Sequence, residues 1–182
     1  GRIKIRGIDC ERVRLVAIVY VKPFPHDEKI MSNTPAKPFA DDPDLNPPAP
    51  FKQSTRRGPF TTHNGPWFHW AEGALFRQGV RLLPRHCNSR GIVHGGFLCS
   101  FADGLAATAV YRGTGKSSVT MKLNTEFLRS AESGDWLQGT AQVVRETRTM
   151  AFVEARAWVG EGLDEASDAL VFSASAVFRL RS

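Results

Sequence analysis

The sequence predicts one α+β domain in which an antiparallel β-sheet curls around a single long central helix. Three features of the chain predict it. Apolar residues recur at helical spacing from His94 to Tyr111, strand-like segments lie on both sides of that stretch, and turn residues separate the strands. The chain has 182 residues, of which 42% are hydrophobic, and this is enough for one core of ordinary size.

Strand candidates stand before and after the helical stretch. Those before it are Trp67–Trp70 and Ala74–Leu83, and Pro84 closes the second. Since no further helix is predicted after Tyr111, the strands that follow are expected to form a meander. They are separated by polar or glycine-containing turns and comprise Ser118–Leu128, Trp136–Arg145, Met150–Val159 and Ala169–Leu180.

The helical stretch has the composition of a central helix. Its apolar residues recur every three or four positions, namely Phe97, Leu98, Phe101, Leu105, Ala109 and Val110. Between them stand Gly104, Ala106 and Ala107, whose small side chains allow a sheet to approach the helix closely. We therefore expect the sheet to wrap around this helix.

The first third of the chain differs in texture from the rest. Residues 1–64 are predicted to be an N-terminal extension, and residues 65–182 the domain. Residues 23–59 are rich in Pro, Asp, Asn and Lys and cannot bury enough apolar surface to offset their ordering entropy, which is typical of a linker or a surface arm. Met31 has the form of a native start, which would make residues 1–30 non-native; the sequence leaves this open.

Charge and hydropathy exclude several classes of function. The formal net charge is +6, but no run of five basic residues occurs, which argues against a nucleic-acid-binding arm. The charge suits a polyanionic small ligand, or equally a plain solvated surface. No apolar stretch approaches the ~20 residues that cross a bilayer, so no membrane partner is expected. Leu15–Val21 lacks a small-residue cleavage site, and we predict a cytoplasmic protein.

The cysteines do not indicate a disulfide framework or a zinc site. Cys10, Cys87 and Cys99 are odd in number and form no CxxC pair. His86 precedes Cys87, but the local sequence supplies no further ligands at metal-binding spacing. We expect no metal and no redox cofactor.

A carboxylate and a glycine pair carry the chemistry of the helical stretch. Gly95 and Gly96 stand at its predicted start, where free backbone N–H groups and the helix dipole can polarise a carbonyl, although the pair could simply form a tight entry into the helix. Asp103 lies in mid-helix among apolar neighbours, with no Lys or Arg three or four residues away. It is either a functional carboxylate or an exposed one on a polar stripe.

These residues resemble a known signature. The segment from His86 to Asp103 resembles that of the PaaI-like branch of the hotdog thioesterases, in the 4-hydroxybenzoyl-CoA thioesterase superfamily. There, a polar turn with an Asn, here Asn88, leads into His-Gly-Gly, and an Asp follows two helical turns later. The resemblance covers Gly65–Arg181 and implies a hotdog fold and hydrolysis of an acyl-CoA or aroyl-CoA thioester to the free acid and coenzyme A.

The resemblance also implies roles for individual residues. Asp103 would act as general base toward water or as a nucleophile that forms a mixed anhydride. The Gly96 N–H would bind the thioester oxygen, and Thr120 would hold the water. Asn88 would hydrogen-bond the carbonyl or orient the water, and His94 is interpreted as fixing the turn rather than as a base.

Substrate-binding residues are less sharply indicated. Gly95 and His94 flank the expected carbonyl site, and apolar side chains that could line an acyl pocket, or could belong to the core, are Phe97, Phe101, Met121 and Phe127. Arginines that could contact the phosphates of coenzyme A, or be plain surface residues, are Arg90, Arg145 and Arg148. Neither the acyl chain length nor an aromatic preference is indicated.

Helix geometry predicts the quaternary structure. From Gly95 to Asp103 the helix rises about 12 Å, whereas a reacting carbon must lie about 3 Å from its attacker and close to its oxyanion donors. One helix therefore cannot supply both groups to one thioester. A two-fold dimer, with Gly96 and Asn88 of one subunit facing Asp103 of the other, solves this, and the resemblance implies the same interface and further pairing into homotetramers.

Two other functions remain open. One is a non-catalytic module that binds acyl-CoA, which retention of Asp103 argues against. The other is a dehydratase or hydratase that acts on acyl thioesters, whose usual His-plus-acid motifs are missing from this chain.

Overall fold

The structure, a computed structural model, describes residues 47–54, 58–163 and 169–181. The expectations for residues 1–46, including the non-native origin of residues 1–30, lie outside these ranges. The described elements in chain order are β1 (Lys52–Gln53), α1 (Pro59–His63), β2 (Phe68–Glu72), β3 (Leu75–Arg81), α2 (Gly95–Thr114), β4 (Ser118–Phe127), β5 (Trp136–Glu146), β6 (Met150–Val159) and β7 (Leu170–Leu180).

The strands form one antiparallel sheet in the order β1-β2-β3-β5-β6-β7-β4. One side of α2 packs against β4, β5, β6 and β7, so the predicted antiparallel sheet around a long central helix is confirmed. The simple meander is wrong for β4, which pairs with β7 instead of β5. Since β3 and β5 pair directly, helix α2 and β4 form an excursion that returns the chain to the sheet at its far edge.

Helix α2 is defined by its ends as well as by its apolar side. The His94 side chain caps its start, and Gly115 ends it in the left-handed conformation, with φ of 70°. Its buried residues are Phe97, Leu98, Phe101, Ala102, Leu105, Ala106, Ala109 and Val110, as the spacing predicts. The opposite side is half-exposed or exposed and carries mostly small residues, among them Gly96, Ser100, Asp103 and Gly104.

The close approach of helix and sheet depends on a glycine of β5. A Cβ on Gly139 would lie 2.6 Å from the Arg156 carbonyl oxygen and 2.9 Å from Cδ2 of Leu105 on α2. Leu105 is fully buried, and its cluster includes Phe101 and Phe172. A side chain at position 139 would thus push the helix away from the sheet.

Strand β4 contains a β-bulge that determines which side chains face α2. Thr120 pairs with Phe178 and Lys122 with Val177, so Met121 is the extra residue. A regular strand would place Thr120 and Leu123 on opposite faces. Here Thr120 hydrogen-bonds to α2 and Leu123 packs on the core clusters, so both face the helix.

The end of the predicted arm joins the sheet. Strand β1 pairs with β2, and the buried Phe51 packs edge-on against Trp136, with ring centroids 5.1 Å apart. Helix α1 buries none of its own residues, but the Trp67 indole N–H donates to the Thr61 carbonyl at 2.5 Å. Among the described residues, none of the helices has the length and hydropathy needed to cross a membrane.

Candidate active site

Asp103 lies half-buried on α2 and is held by the neighbouring strand. The Thr120 hydroxyl donates to Asp103 Oδ1 at 2.6 Å, a short hydrogen bond of the kind an ionised carboxylate accepts. Within the described ranges no Lys, Arg or His forms an ion pair with Asp103. The bulge at Met121 turns Thr120 toward the helix, and Thr120 thereby orients the Asp103 carboxylate. No cation in the described ranges pairs with that carboxylate.

Replacing Thr120 with valine is expected to lower the turnover number, because the carboxylate loses the donor that orients it. A hydrogen bond to a charged group contributes about 1.5–3 kcal/mol, which corresponds to a loss of about 10–100-fold in turnover. Thr120→Ser keeps the hydroxyl and should restore most of the activity. Steady-state kinetics of both variants check this, and equal kcat values for the two would contradict it.

The first turn of α2 contains Gly95 and Gly96, as predicted, and His94 is its N-cap. The Gly96 N–H donates to His94 Nδ1 at 2.9 Å, so this nitrogen is unprotonated and the other ring nitrogen carries the proton. The Phe97 N–H bonds to the His94 carbonyl. Among the described residues, the Gly95 N–H has no partner. The Gly96 N–H, which is predicted to bind a thioester oxygen, is thus bonded to His94 in the free chain.

Asn88 builds the turn that precedes α2. Its side-chain oxygen accepts from the Arg90 N–H at 2.8 Å, its own N–H donates to Ile92, and its carbonyl accepts from Gly91. This is an Asx turn, which leaves the Asn88 side-chain amino group to donate elsewhere. The turn fixes the approach of the chain to His94.

His86 contacts the start of α2. The sequence indicated it only as a possible metal ligand. It is buried, its Nδ1 accepts from the Leu83 N–H, and its ring stacks on Phe97 with centroids 4.1 Å apart. The His86 carbonyl accepts from the His94 N–H at 2.8 Å. His86 thus positions the capping histidine. Its stacking partner stands eleven residues later in the chain, so no local pattern distinguishes it from an exposed histidine.

Burial, with a contribution from Arg85, lowers the pKa of His86 from 6.5 to about 4, and the Asn64 main chain opposes this. Below pH 6.5 the unfolded chain binds a proton at His86 that the folded protein does not, so acid favours unfolding. Stability should fall by about 3 kcal/mol between pH 6.5 and 4 through this residue. His86→Asn keeps a hydrogen-bond acceptor but does not titrate. Urea unfolding across this range should show a smaller fall for the variant, and identical pH dependence would contradict this.

The Cys87 thiol, next to His86 in the chain, faces a main-chain carbonyl oxygen. Its thiol lies 3.7 Å from the Leu83 oxygen, and burial raises its pKa. Within the part of the chain that the structure describes, no group of three or more His, Cys, Asp or Glu side chains is placed to hold a metal ion.

The residues predicted to bind substrate do not lie together in the folded chain. Phe97 is a core residue, stacked between His86 and Trp67, and Phe101 is fully buried. Met121 is 61% exposed on β4, the last described strand of the sheet, and the Phe127 ring lies over Gly95, 3.4 Å from where a Cβ would be. Of the predicted acyl-pocket residues, only Phe127 contacts the glycine turn.

The arginines lie at two ends of the molecule. Arg90 is exposed in the turn before α2. Arg145 is exposed on β5, and Arg148 in the turn between β5 and β6. That end adjoins the C-terminal end of α2, because Lys116, two residues beyond the helix, bonds to Glu146 at 2.8 Å. Within one chain, Arg145 and Arg148 are therefore remote from Gly96.

A cleft of about 300 Å³ opens beside Asp103, and we refer to it as the Asp103 cleft. Its lining residues are Phe60, Thr61, Trp67, Gln78, Cys99, Ser100, Asp103 and Gly104. Several of them, notably Phe60, Trp67 and the buried Gln78, were not among the predicted site residues. A larger groove, of about 420 Å³, lies on the opposite face of the sheet among polar residues such as Glu126 and Glu154, and it contains no part of α2.

The fold and the position of Asp103 on its central helix define a hotdog protein. The family model described as the Thioesterase superfamily matches residues 90–166. A Pseudomonas aeruginosa protein named as a candidate esterase is 36% identical over 141 residues, covering 75% of this chain and 98% of that protein. The chain therefore belongs to the thioesterase superfamily, and the predicted resemblance is confirmed.

Another sequence relative and two solved structures are also similar to the chain. A candidate esterase of Mycobacterium tuberculosis is 34% identical over 82 residues, covering 42% of this chain and 56% of that protein. A candidate thioesterase of Ralstonia eutropha, named as related to phenylacetic acid degradation, superposes with a TM-score of 0.57 at 24% identity, covering 68% and 92% of the two chains. A Streptococcus pneumoniae thioesterase solved with coenzyme A gives 0.52 at 19% identity, covering 59% and 81%.

Proposed function

We propose that the protein hydrolyses acyl-CoA or aroyl-CoA thioesters to the free acid and coenzyme A. The observation that carries the proposal is the Asp103 carboxylate, oriented by Thr120 and lining a cleft beside the central helix. Membership of the thioesterase superfamily supports the reaction class. The related Streptococcus pneumoniae protein, solved with coenzyme A, supports the leaving group.

In this proposal, Asp103 takes a proton from water as the water oxygen attacks the thioester carbon, or attacks that carbon itself. Thr120 holds the carboxylate and can accept a hydrogen bond from the water. The tetrahedral intermediate then expels the thiolate of coenzyme A, which is protonated on release. When water is the attacker this step gives the free acid, and when Asp103 is the attacker it leaves a mixed anhydride, which water hydrolyses to the free acid and the regenerated carboxylate. Asn88 contributes its side-chain amino group to the carbonyl or to the water.

The Gly96 N–H stabilises the developing oxyanion by exchanging partners. In the free chain it donates to the neutral imidazole of His94. A thioester carbonyl competes weakly with that nitrogen, whereas an oxyanion accepts hydrogen bonds more strongly. The exchange of partners therefore stabilises the transition state more than the bound substrate, and this difference lowers the activation barrier.

The complete site is proposed to need two chains. Gly96 and Asp103 lie on the same open side of α2, which carries small residues, so a second α2 can approach closely. Among the described strands, β4, which carries Thr120, is at the end of the sheet with no further strand beside it, and its Val119 and Met121 are exposed. Pairing two copies through β4 and α2 places Gly96 and Asn88 of one chain opposite Asp103 of the other, and the resulting homodimer could pair further into a homotetramer.

The two-fold arrangement also gives the arginines a role. Antiparallel α2 helices bring the C-terminal end of one helix beside the start of the other. Arg145 and Arg148 of one chain then approach Arg90 of its partner, and together they would form a positive rim for the phosphates of coenzyme A.

An assay of released thiol with short, long and aromatic acyl-CoAs tests the proposed function. Hydrolysis of at least one of them that requires Asp103 is the expected result. Binding of acyl-CoA without release of coenzyme A would favour a ligand-binding module. Addition of water to an enoyl-CoA with the thioester intact would favour a hydratase.

A further inference from the structure

The Asp103 cleft joins the proposed catalytic carboxylate to a part of the chain outside the matched family region. Residues 90–166 match the superfamily, and they contribute Cys99, Ser100, Asp103 and Gly104 to the cleft. The remaining lining comes from α1, from the residue Trp67 that follows it, and from Gln78 on β3. Phe60 and Thr61 of the cleft thus come from the predicted N-terminal extension, and Trp67 and Gln78 from the predicted domain.

The α1 side is held firmly despite its exposure. The Trp67 indole donates to the Thr61 carbonyl of α1, and the Arg85 guanidinium donates to the Gly65 carbonyl between them. Trp67 in turn stacks on Phe97 at 5.7 Å and packs against Phe101 at 5.5 Å, both on α2. A column of aromatic rings therefore fixes α1 relative to the helix that carries Asp103.

The cleft has the size of a compact group, and its lining is aromatic at Phe60 and Trp67 and polar at Thr61, Gln78 and Ser100. Its volume of about 300 Å³ is at the lower end of the range for ligand pockets. At the ~30 Å³ that a water molecule occupies in the liquid, it holds about ten heavy atoms. Phe60 and Trp67 supply aromatic surface, and Gly104 and Cys99 leave room on the side of the helix. An octanoyl chain or a single aromatic ring is of this size, and a dodecanoyl chain is larger.

We propose that the Asp103 cleft binds the acyl group, and that Phe60 on α1 limits its size to about ten heavy atoms. Phe60 lines the cleft and is 66% exposed in the single chain. The inference rests on the proposed thioesterase function and adds to it the substrate class and a specificity-determining residue. Trp67 acts as the positioning residue that keeps α1 in place.

The test compares kcat/KM for butyryl-, octanoyl-, dodecanoyl- and phenylacetyl-CoA. The wild type should prefer octanoyl- or phenylacetyl-CoA over dodecanoyl-CoA by about tenfold or more. Phe60→Ala should reduce that preference at least fivefold, by raising the dodecanoyl value. Leu75→Ala, which removes another exposed apolar side chain from the β2–β3 hairpin outside the cleft, should leave it unchanged.

A second variant fills the cleft. Cys99→Leu should lower kcat/KM for octanoyl-CoA relative to butyryl-CoA by about tenfold, the opposite shift to that of Phe60→Ala. If the wild type hydrolyses these thioesters but both variants keep its order of preference, the inference is wrong while the proposed function stands. If no thioester releases coenzyme A, the proposed function itself fails.

Discussion

Asp103→Asn is expected to reduce the turnover number for acyl-CoA hydrolysis by about 10²–10⁴-fold, the contribution of a positioned general base. The amide has the shape of the carboxylate and can still accept the hydrogen bond from Thr120, so the fold should persist. It cannot take a proton from water or attack a carbonyl. The measurement is release of coenzyme A, followed with a thiol reagent at saturating substrate.

The matched control is Glu126→Gln, which makes the same chemical change on the opposite face of the sheet. Glu126 is exposed and accepts a hydrogen bond from the Ser173 hydroxyl at 3.0 Å. Turnover by this variant should equal that of the wild type within a factor of two, on the order expected for a surface substitution. Turnover by Asp103→Asn within threefold of the wild type would eliminate Asp103 as base or nucleophile.

Gly96→Pro is expected to lower the turnover number by about 10²–10³-fold, the usual effect of removing one oxyanion donor. Proline has no N–H but is tolerated in the first turn of a helix, where that N–H has no helical partner. The change removes the proposed donor together with the hydrogen bond from Gly96 to His94 Nδ1, so the His94 ring must turn away from the proline ring, while α2 is expected to remain. Circular dichroism and thermal melting establish that the variant is folded.

Gly96→Ala is the companion variant because it retains the N–H. Its Cβ would lie 3.0 Å from His94 Nδ1, so the imidazole must shift by a few tenths of an ångström. We expect a loss much smaller than that of the proline variant. Equal activities of the two variants, both folded, would show that the Gly96 N–H is not the oxyanion donor.

The helix and the strands could be predicted because their signals are local. The apolar spacing within α2, and the turns between strands, are visible in windows of ten to twenty residues. The pairing of β4 with β7 could not be predicted, because it joins Thr120 to Phe178, 58 residues later in the chain. The bulge at Met121 could not be predicted either, because an alternating pattern alone would place Thr120 on the face of the strand away from the helix.

The candidate site shows the same division between local and distant effects. Asp103, the glycine pair and the capping histidine belong to one continuous segment, and their arrangement on α2 follows from their order in the chain. The sequence predicts that Thr120 holds the water, whereas its hydrogen bond to Asp103 was not predicted. Trp67 and His86 were missed because their stacking partner Phe97 lies on another element, and packing alone brings the rings together. Phe60 was missed because it lies in the predicted N-terminal extension.

The most direct measurement uses a heterodimer of Asp103→Asn and Gly96→Pro chains, co-expressed with different affinity tags and purified through both. If each site takes Asp103 from one subunit and Gly96 from the other, one of its two sites is intact and the other has lost both groups. The heterodimer should then show about half of the wild-type activity per dimer, although each parent homodimer is nearly inactive. A heterodimer as inactive as its parents would contradict a site shared between two chains.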